Sequence, residues 1–453
     1  MKLPVITSLI LPGIVAATAA CGADQAEAPP PDSTMAAAVT YWQDVEPIFY
    51  TNCQSCHTAG GIGPFAIDDP DTAAAYASRI VTETAAKRMP PWPPGGDTPA
   101  LLHTRSLTDD QLAKIKAWSD AGATMGDPSK PQPHQEPEVV DIGATAYRFD
   151  IGLSYTPDTS LSDDYRCFLA HVGNTDAQVA TGFKVTPGNG SIVHHVIVGL
   201  FPASAEAELQ ALDAQTPDRA GWPCVGGLVP SDSDIDAKQS GQLGSWVPGV
   251  SAVAYPAGTG TALEPGQLAV IQMHYNLLGG DDPDRTKVEI AVAPAATAAG
   301  LIKLGGVGLI KHNLTIPAGA SDAINEQAAT LQQWRALRGG KPFPSGHAYL
   351  MGAGGHMHLV GKRIAITRTT AAGATDTLLD IPDWSFHWQG QYTFATPIEL
   401  ANTDTVTIRC EHDNSDQNRL AKGLPPGMAV TWGEGTTDEM CLAQLQIVDH
   451  LPD

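Results

Sequence analysis

The apolar positions of this chain change their period near residue 143. Before it they recur every three to four residues. Val45, Ile48 and Phe49 stand at i, i+3 and i+4, which predicts an amphipathic helix. A second helix is predicted from the run Leu107-Thr108-Asp109-Asp110-Gln111-Leu112. Thr108 and Gln111 have capping-box spacing, Leu107 and Leu112 can staple the turn, and Leu112, Ile115 and Trp118 form the buried stripe. After residue 143 short apolar, β-branched runs alternate with Gly, Pro and Asp turns. Ile192 to Leu200, Leu268 to Leu277, Val288 to Val292, Arg363 to Thr369 and Val406 to Cys410 all have strand length. Two exceptions read as helices, Ala203 to Ala214 and Asp322 to Leu337. The second carries Ile324, Ala328, Leu331, Trp334 and Leu337 on one stripe, with Gly339-Gly340 ending it. No internal repeat is visible. The roughly 310 residues of short strands predict two β-sandwiches in series. Asp127 to Glu138, with four prolines, reads as a linker.

The N-terminus reads as an address. Lys2 precedes an apolar, small-residue run to Ala20, broken by Pro12 and Gly13, as in a secretory signal. It ends Thr18-Ala19-Ala20-Cys21, which resembles a bacterial lipobox, so both lipidation of Cys21 and plain cleavage near Ala20 fit. No later apolar stretch has spanning length. We therefore expect residues 1–20 to be a signal peptide, 21–37 a tether, 38–127 a helical domain, 128–142 a linker, and 143–300 and 301–453 the two sandwiches. The expected location is exported: the periplasm, or the outer membrane through a lipid anchor only.

Composition narrows the function. The 453 residues suit about three domains. Gly 45 and Pro 36 suit a turn-rich, mainly β fold. With 26 Lys and Arg against 49 Asp and Glu, the net charge of −23 repels phosphate backbones and disfavours nucleic acid as a partner.

Seven cysteines occur. Cys53-Gln54-Ser55-Cys56-His57 is C-x-x-C-H, the c-type haem attachment motif. On a helical turn the two thiols and His57 share one face, so two thioethers hold the porphyrin edge while the imidazole reaches iron. A zinc site would need a second cysteine pair nearby, and a redox dithiol is the other rival. The flanking helices make residues 38–127 look like a small cytochrome c. Met89, on the Pro-stiffened loop Arg88-Met89-Pro90-Pro91-Trp92, is the expected sixth iron ligand, with Met125 as runner-up. With Cys21 and the haem pair set aside, four cysteines remain, enough for two disulfides in any of three pairings.

Three histidine clusters lie within the predicted strands: His194-His195, Gln272-Met273-His274 and His356-Met357-His358. On a strand His356 and His358 share a face, a ready chelate, and so do Gln272 and His274. His194 and His195 would point to opposite faces, so joint ligation needs a distorted strand or binding through Nδ1. His103, His134, His171, His312, His347, His387, His412 and His450 lack chelating spacing; His347 and His412 are the nearest of these to the motifs.

Taken in order, these clusters with Trp246-x-Pro248-Gly249, Pro265-Gly266, Tyr275, Gly361-Lys362 and Asp438-Glu439-Met440-Cys441 resemble the copper type II, ascorbate-dependent monooxygenases. The resemblance spans residues 143 to 453. It implies two jelly-roll-like β domains, each holding one copper. His194, His195 and His274 would bind the electron-storing copper, with Gln272 beside it. His356, His358 and Met440 would bind the oxygen-activating one, where a thioether favours Cu(I). The resemblance also implies the disulfides Cys167–Cys224 and Cys410–Cys441. The expected reaction inserts one atom of O₂ into a C–H bond of a small-molecule or peptide substrate, with electrons from ascorbate or a redox protein. The domain order leads us to expect that these electrons enter at the haem and pass to the electron-storing copper. The alternative is a periplasmic haem and copper electron carrier, or copper-binding module, without oxygenase activity. A zinc hydrolase would need a carboxylate base beside an open site, and no H-E-x-x-H is present. A multicopper oxidase would need further H-x-H pairs.

Overall fold

Strand pairing, not helix packing, builds most of this molecule: 35% of residues lie in strands and 17% in helices, a mainly β protein. The computed structural model describes residues 38–452 apart from 162, 226, 231, 232, 278, 279, 338, 387 and 434–436. The expected signal peptide, the tether, Cys21 and His387 lie outside the described residues. Residues 39–453 form one unit. Among the described residues no helix is long and apolar enough to cross a membrane.

The helical region starts with a π-type turn at Tyr41–Val45 that runs into α1 (Glu46–Asn52). Then come α2 (Pro70–Ala75), α3 (Ala77–Ala85) and α4 (Asp109–Asp120). The capping box at Thr108 and Gln111 is formed, as the spacing predicted. Tyr41, Phe49, Ile80, Ile115 and Trp118 close the core, with the Phe49 and Trp118 rings 5.8 Å apart. The proline-rich stretch after Asp127 runs along this helical region. Gln43 Nε2 donates to the carbonyls of Asp127 and Lys130, and Thr51 donates to Gln135.

The first sandwich faces a six-stranded sheet with a five-stranded one. The six are β1 (Thr145–Asp150), β3 (Gln178–Thr186), β7 (Val253–Ala254), β8 (Thr259–Leu263), β10 (Lys287–Val292) and β11 (Ile302–Lys303). The five run in the order β5 (Trp222–Pro223), β2 (Asp163–His171), β9 (Leu268–Asn276), β4 (Val193–Phe201), β6 (Gly241–Trp246). Phe183, Val288 and Ile290 of one sheet share a core with Val196, Ile271 and Met273 of the other. The outer face of the five-stranded sheet is also covered. There Phe201, Leu268 and Val270 pack on Leu209 of the helix Glu206–Asp213 and on Cys224. Burial on both faces explains why β4 and β9 read as continuous apolar runs rather than alternating ones.

The second sandwich pairs the order β12 (Gly305–Ile310), β21 (Leu442–Val448), β15 (His347–His356), β18 (Gln391–Ala401) with a second sheet. That sheet runs β14 (Ala323–Thr330), β19 (Thr405–His412), β16 (Gly361–Thr369), β17 (Thr375–Ile381), and the two-stranded ribbon β13 (Thr315–Ile316) and β20 (Val430–Thr431) stands apart. Leu350 and Leu445 meet Ile364 and Ile408 in its core.

The first half of the expected helix over 322–337 is a strand. β14 pairs with β19 along its whole length, and only Leu331–Ala336 is helical, capped by Thr330 and Gln333. Of the apolar stripe, Leu331 and Trp334 are buried, while Ile324 is 53% and Leu337 68% exposed. Two apolar anchors secure one helical turn, and backbone pairing with an adjacent strand claims the rest.

Between α3 and α4 a strap from the helical region docks on the second sandwich. Gly95 N–H donates to Asp380 O at 2.9 Å, Leu102 N–H to Thr393 O at 2.9 Å, and Ala395 N–H to Ala100 O at 2.8 Å.

Candidate metal and haem sites

The C-x-x-C-H motif follows directly on α1. The amides of Cys56 and His57 donate to the Cys53 carbonyl, so both thiols and the imidazole stand on one turn. Cys53 and Cys56 are not bridged to each other. Burial pushes the Cys53 thiol up to about 12, and the nearby Arg105 charge opposes this. His57 Nδ1 lies 3.2 Å from Phe65 O, so it donates there and leaves Nε2 for a metal. Burial holds this imidazole below the usual range, in its neutral, ligating form. Gly63 wraps it so closely that a Cβ would sit 2.6 Å from Nδ1. These residues fit a covalently held haem. Met89 is 40% exposed on the loop after α3, and Met125 is half-buried against the helical core.

The first histidine site sits in the middle of the five-stranded sheet. His195 of β4 faces His274 of β9, and the register slips between Val193 and His195. That bulge is the distortion the adjacent histidines required: it turns His194 to the same side as His195. The ligand nitrogens of His194, His195 and His274 lie within 4.8 Å of one another, all buried. His274 donates from Nε2 to Asp163 Oδ1 at 2.8 Å, which leaves Nδ1 free to turn toward His195 Nδ1, 3.2 Å away. Tyr165 stacks on the His274 ring at 4.0 Å. Gln272 Nε2 donates to the carbonyls of Cys224 and Gly227, and its side chain also bonds His195. Burial drives His195 well below the usual range, reinforced by His274, His194 and His356. Burial also lowers His274, against the pull of Asp163. A buried set of neutral imidazoles is the donor set that suits copper or zinc.

The second site forms where β15 ends. His356 closes the strand, Met357 turns into the core, and His358 follows, with the two imidazoles 5.0 Å apart and perpendicular. His356 Nδ1 donates to Gln389 Oε1 at 2.5 Å, and His358 Nδ1 to Asp438 O at 3.3 Å, so both leave Nε2 for a ligand. The β15–β21 register sets Leu442 opposite His356, so Met440, 4% exposed, passes beside the pair.

Glu439 ties this site together. Its buried carboxylate accepts N–H from His358, Val360 and Met440 at once. Burial raises its pKa to about 8, opposed by those amides. His412 is buried against the backbone of Met440, and burial pushes it down to about 4. His347, by contrast, packs on Tyr349. Most other histidines bond locally: His103 to Glu138, His171 to Glu206, His450 to Asp449, and His134 stacked on Tyr50. Both disulfides have the pairing that the resemblance implied, Cys167–Cys224 and Cys410–Cys441.

Asp163 and Gln389 went unremarked in the sequence, and Glu439 was given no role of its own. Asp163 and Gln389 are isolated polar residues with no motif spacing. Glu439 lies within a motif whose neighbours drew the attention.

Residues 298–447 match the family model "Copper type II ascorbate-dependent monooxygenase, C-terminal domain". Residues 41–118 match "Cytochrome C oxidase, cbb3-type, subunit III". No curated protein matches the chain. Among solved structures it aligns with "Structure of allantoicase" at 11% identity and TM-score 0.19, covering 59% of this chain and 87% of that one. It aligns with coconut allergen cocosin at 8% identity and TM-score 0.14, covering 63% and 77%. Likenesses this low carry no argument. The two family matches imply copper and haem: residues 298–447 are similar to a copper type II ascorbate-dependent monooxygenase C-terminal domain and residues 41–118 to a cytochrome c domain, the pairing that the sequence led us to expect.

Proposed function

We propose that this chain is an exported copper-dependent monooxygenase that hydroxylates a substrate C–H bond with O₂, its electrons arriving through the fused c-type haem. The observation that carries the reading is that each sandwich holds a cluster of buried or half-buried imidazoles: His194, His195 and His274 with ligand nitrogens within 4.8 Å in the first, and His356 and His358 with rings 5.0 Å apart in the second. Copper bound at these sites would supply one-electron chemistry and O₂ activation. His194, His195 and His274 would hold one ion, and His356, His358 and Met440 the other. Asp163 and Gln389 orient His274 and His356 by fixing which nitrogen is free.

The strap supports an intramolecular relay. Three residues past it stands Arg105, whose guanidinium carbon lies 4.9 Å from the Trp388 ring centroid; Trp388 adjoins Gln389, which holds His356. This contact chain runs to the two-histidine site, whereas the domain order alone led us to expect the three-histidine site as first acceptor. Export and a lipid on Cys21 belong to the same proposal, as signals that bring both cofactors to the chain.

The test is metal and haem content after maturation with copper available. Two coppers per haem is the expected result. Haem with little copper, or with zinc in its place, would leave an electron carrier or binding module. Anaerobic reduction by a cytochrome-specific donor then tests the relay, because coppers left oxidised beside reduced haem exclude it.

A further inference from the structure

Arg105 is a cation without an acid. In a chain of net charge −23, its guanidinium has no carboxylate partner among the described residues. It lies against the Trp388 ring and donates only a long bond, 3.4 Å, to Pro248 O. It also forms part of the wall of a cavity of about 1180 Å³ between the helical region and both sandwiches. Trp92, Trp246, Trp388 and Tyr392 line the same space. The backbone makes room for the guanidinium. Gly249 has φ +85°, and a Cβ there would sit 2.4 Å from Arg105 Nη2. The acids on the wall are engaged elsewhere: Glu138 with His103, Glu136 with Tyr50, Glu289 with Arg148, and Asp141 with the Gly143 amide. Lys184 adds a second positive charge to the lining.

A half-buried, forked donor against an aromatic face, unpaired and opening into an aromatic-walled cavity, is built for a planar anion. We propose that Arg105 binds a carboxylate in this cavity, carried by a molecule with an apolar, aromatic-compatible body. Two sources share that chemistry: a free carboxylic acid held one side chain away from the Gln389–His356 contact, or a propionate of the haem, since Arg105 is near enough to Cys53 for its charge to be felt there. The first source would give the proposed monooxygenase a substrate class and rests on that reading; the binding itself needs no copper and is tested apart from it.

The experiment uses the full, haem-loaded, copper-free chain, with Arg105→Gln and Arg105→Lys as variants and the haem absorption spectrum as the check on folding. Calorimetric titration with phenylacetate reads the first source and 2-phenylethanol serves as the neutral control. Arg105→Gln is expected to weaken phenylacetate at least tenfold and leave 2-phenylethanol unchanged, with Arg105→Lys between, because it keeps the charge and loses the fork. The second source is read in the pH dependence of the haem midpoint potential. There a propionate deprived of its cation ionises at higher pH, so the pH-dependent step moves upward in Arg105→Gln. Either response upholds a carboxylate at Arg105 and says which one. Arg105→Gln behaving as the parent chain in both measurements overturns the proposal.

Discussion

The two histidine sites are made of similar donors and held by opposite means. The three-histidine site is woven into adjacent central strands, β4 and β9, of a sheet buried on both faces. Its geometry is that of the sheet itself, corrected by one bulge. The two-histidine site lies where strands stop, between the end of β15 and the start of β21. There the ladder ends, at the pair of His356 with Leu442, so one carboxylate and one disulfide hold what lies beyond it. Glu439 gathers the amides of both ligand-bearing segments, and Cys410–Cys441 anchors the residue after Met440. A site in a sheet inherits its order, whereas a site at strand ends must be stitched.

The contrast can be broken experimentally. The largest effect is expected from Glu439→Leu, which leaves three buried N–H groups without their acceptor at about 1–3 kcal/mol each. Copper content should fall from two ions to one, and thermal unfolding should move down sharply. Retention of both ions would mean that the second site does not depend on its stitch. Removing both cysteines of a disulfide comes next, at about 2–4 kcal/mol in denaturant titrations for either pair. Only loss of Cys410–Cys441 should also weaken copper at the second site; loss of Cys167–Cys224 should leave the strand-borne histidines in place. Equal copper losses from the two would erase the distinction. Asp163→Ala should weaken copper about 10–100-fold at the first site alone, seen in competition with a chelator, since it removes the acceptor that orients His274. The smallest effect is expected from Gln389→Ala. It takes one neutral bond from His356, about 1 kcal/mol, and should show as a modest affinity loss confined to the second site.

Much of this was legible in the sequence. Strands buried on both faces announce themselves as apolar runs, as β4 and β9 do, and the partly buried, β-branched β10, β16 and β19 also fell where expected. The H-x-H pair was legible as a spacing, although β15 ends at His356 and His358 lies just past the strand. The His194-His195 pair was legible only as a demand for distortion. A bulge is a property of two strands in register, and one strand's residues do not encode it. The stretch 322–337 misled because a helical period in apolar residues does not make a helix when most of that stripe, Ile324, Ala328 and Leu337, ends up at the surface. The strap over 95–102 was invisible for a related reason: its contacts are mostly backbone to backbone, and any sequence carries those groups.

That strap has a consequence for how the protein tolerates being cut apart. β18 is the last strand of its sheet, and Leu101 bridges to Phe394 along its outer side. A sheet margin left bare offers its amides and carbonyls to any neighbour, including another copy of itself. The helical region therefore acts as a guard rail for the second sandwich. Expressed without residues 95–102, that sandwich should tend to self-associate through β18, at concentrations where the whole chain stays dispersed.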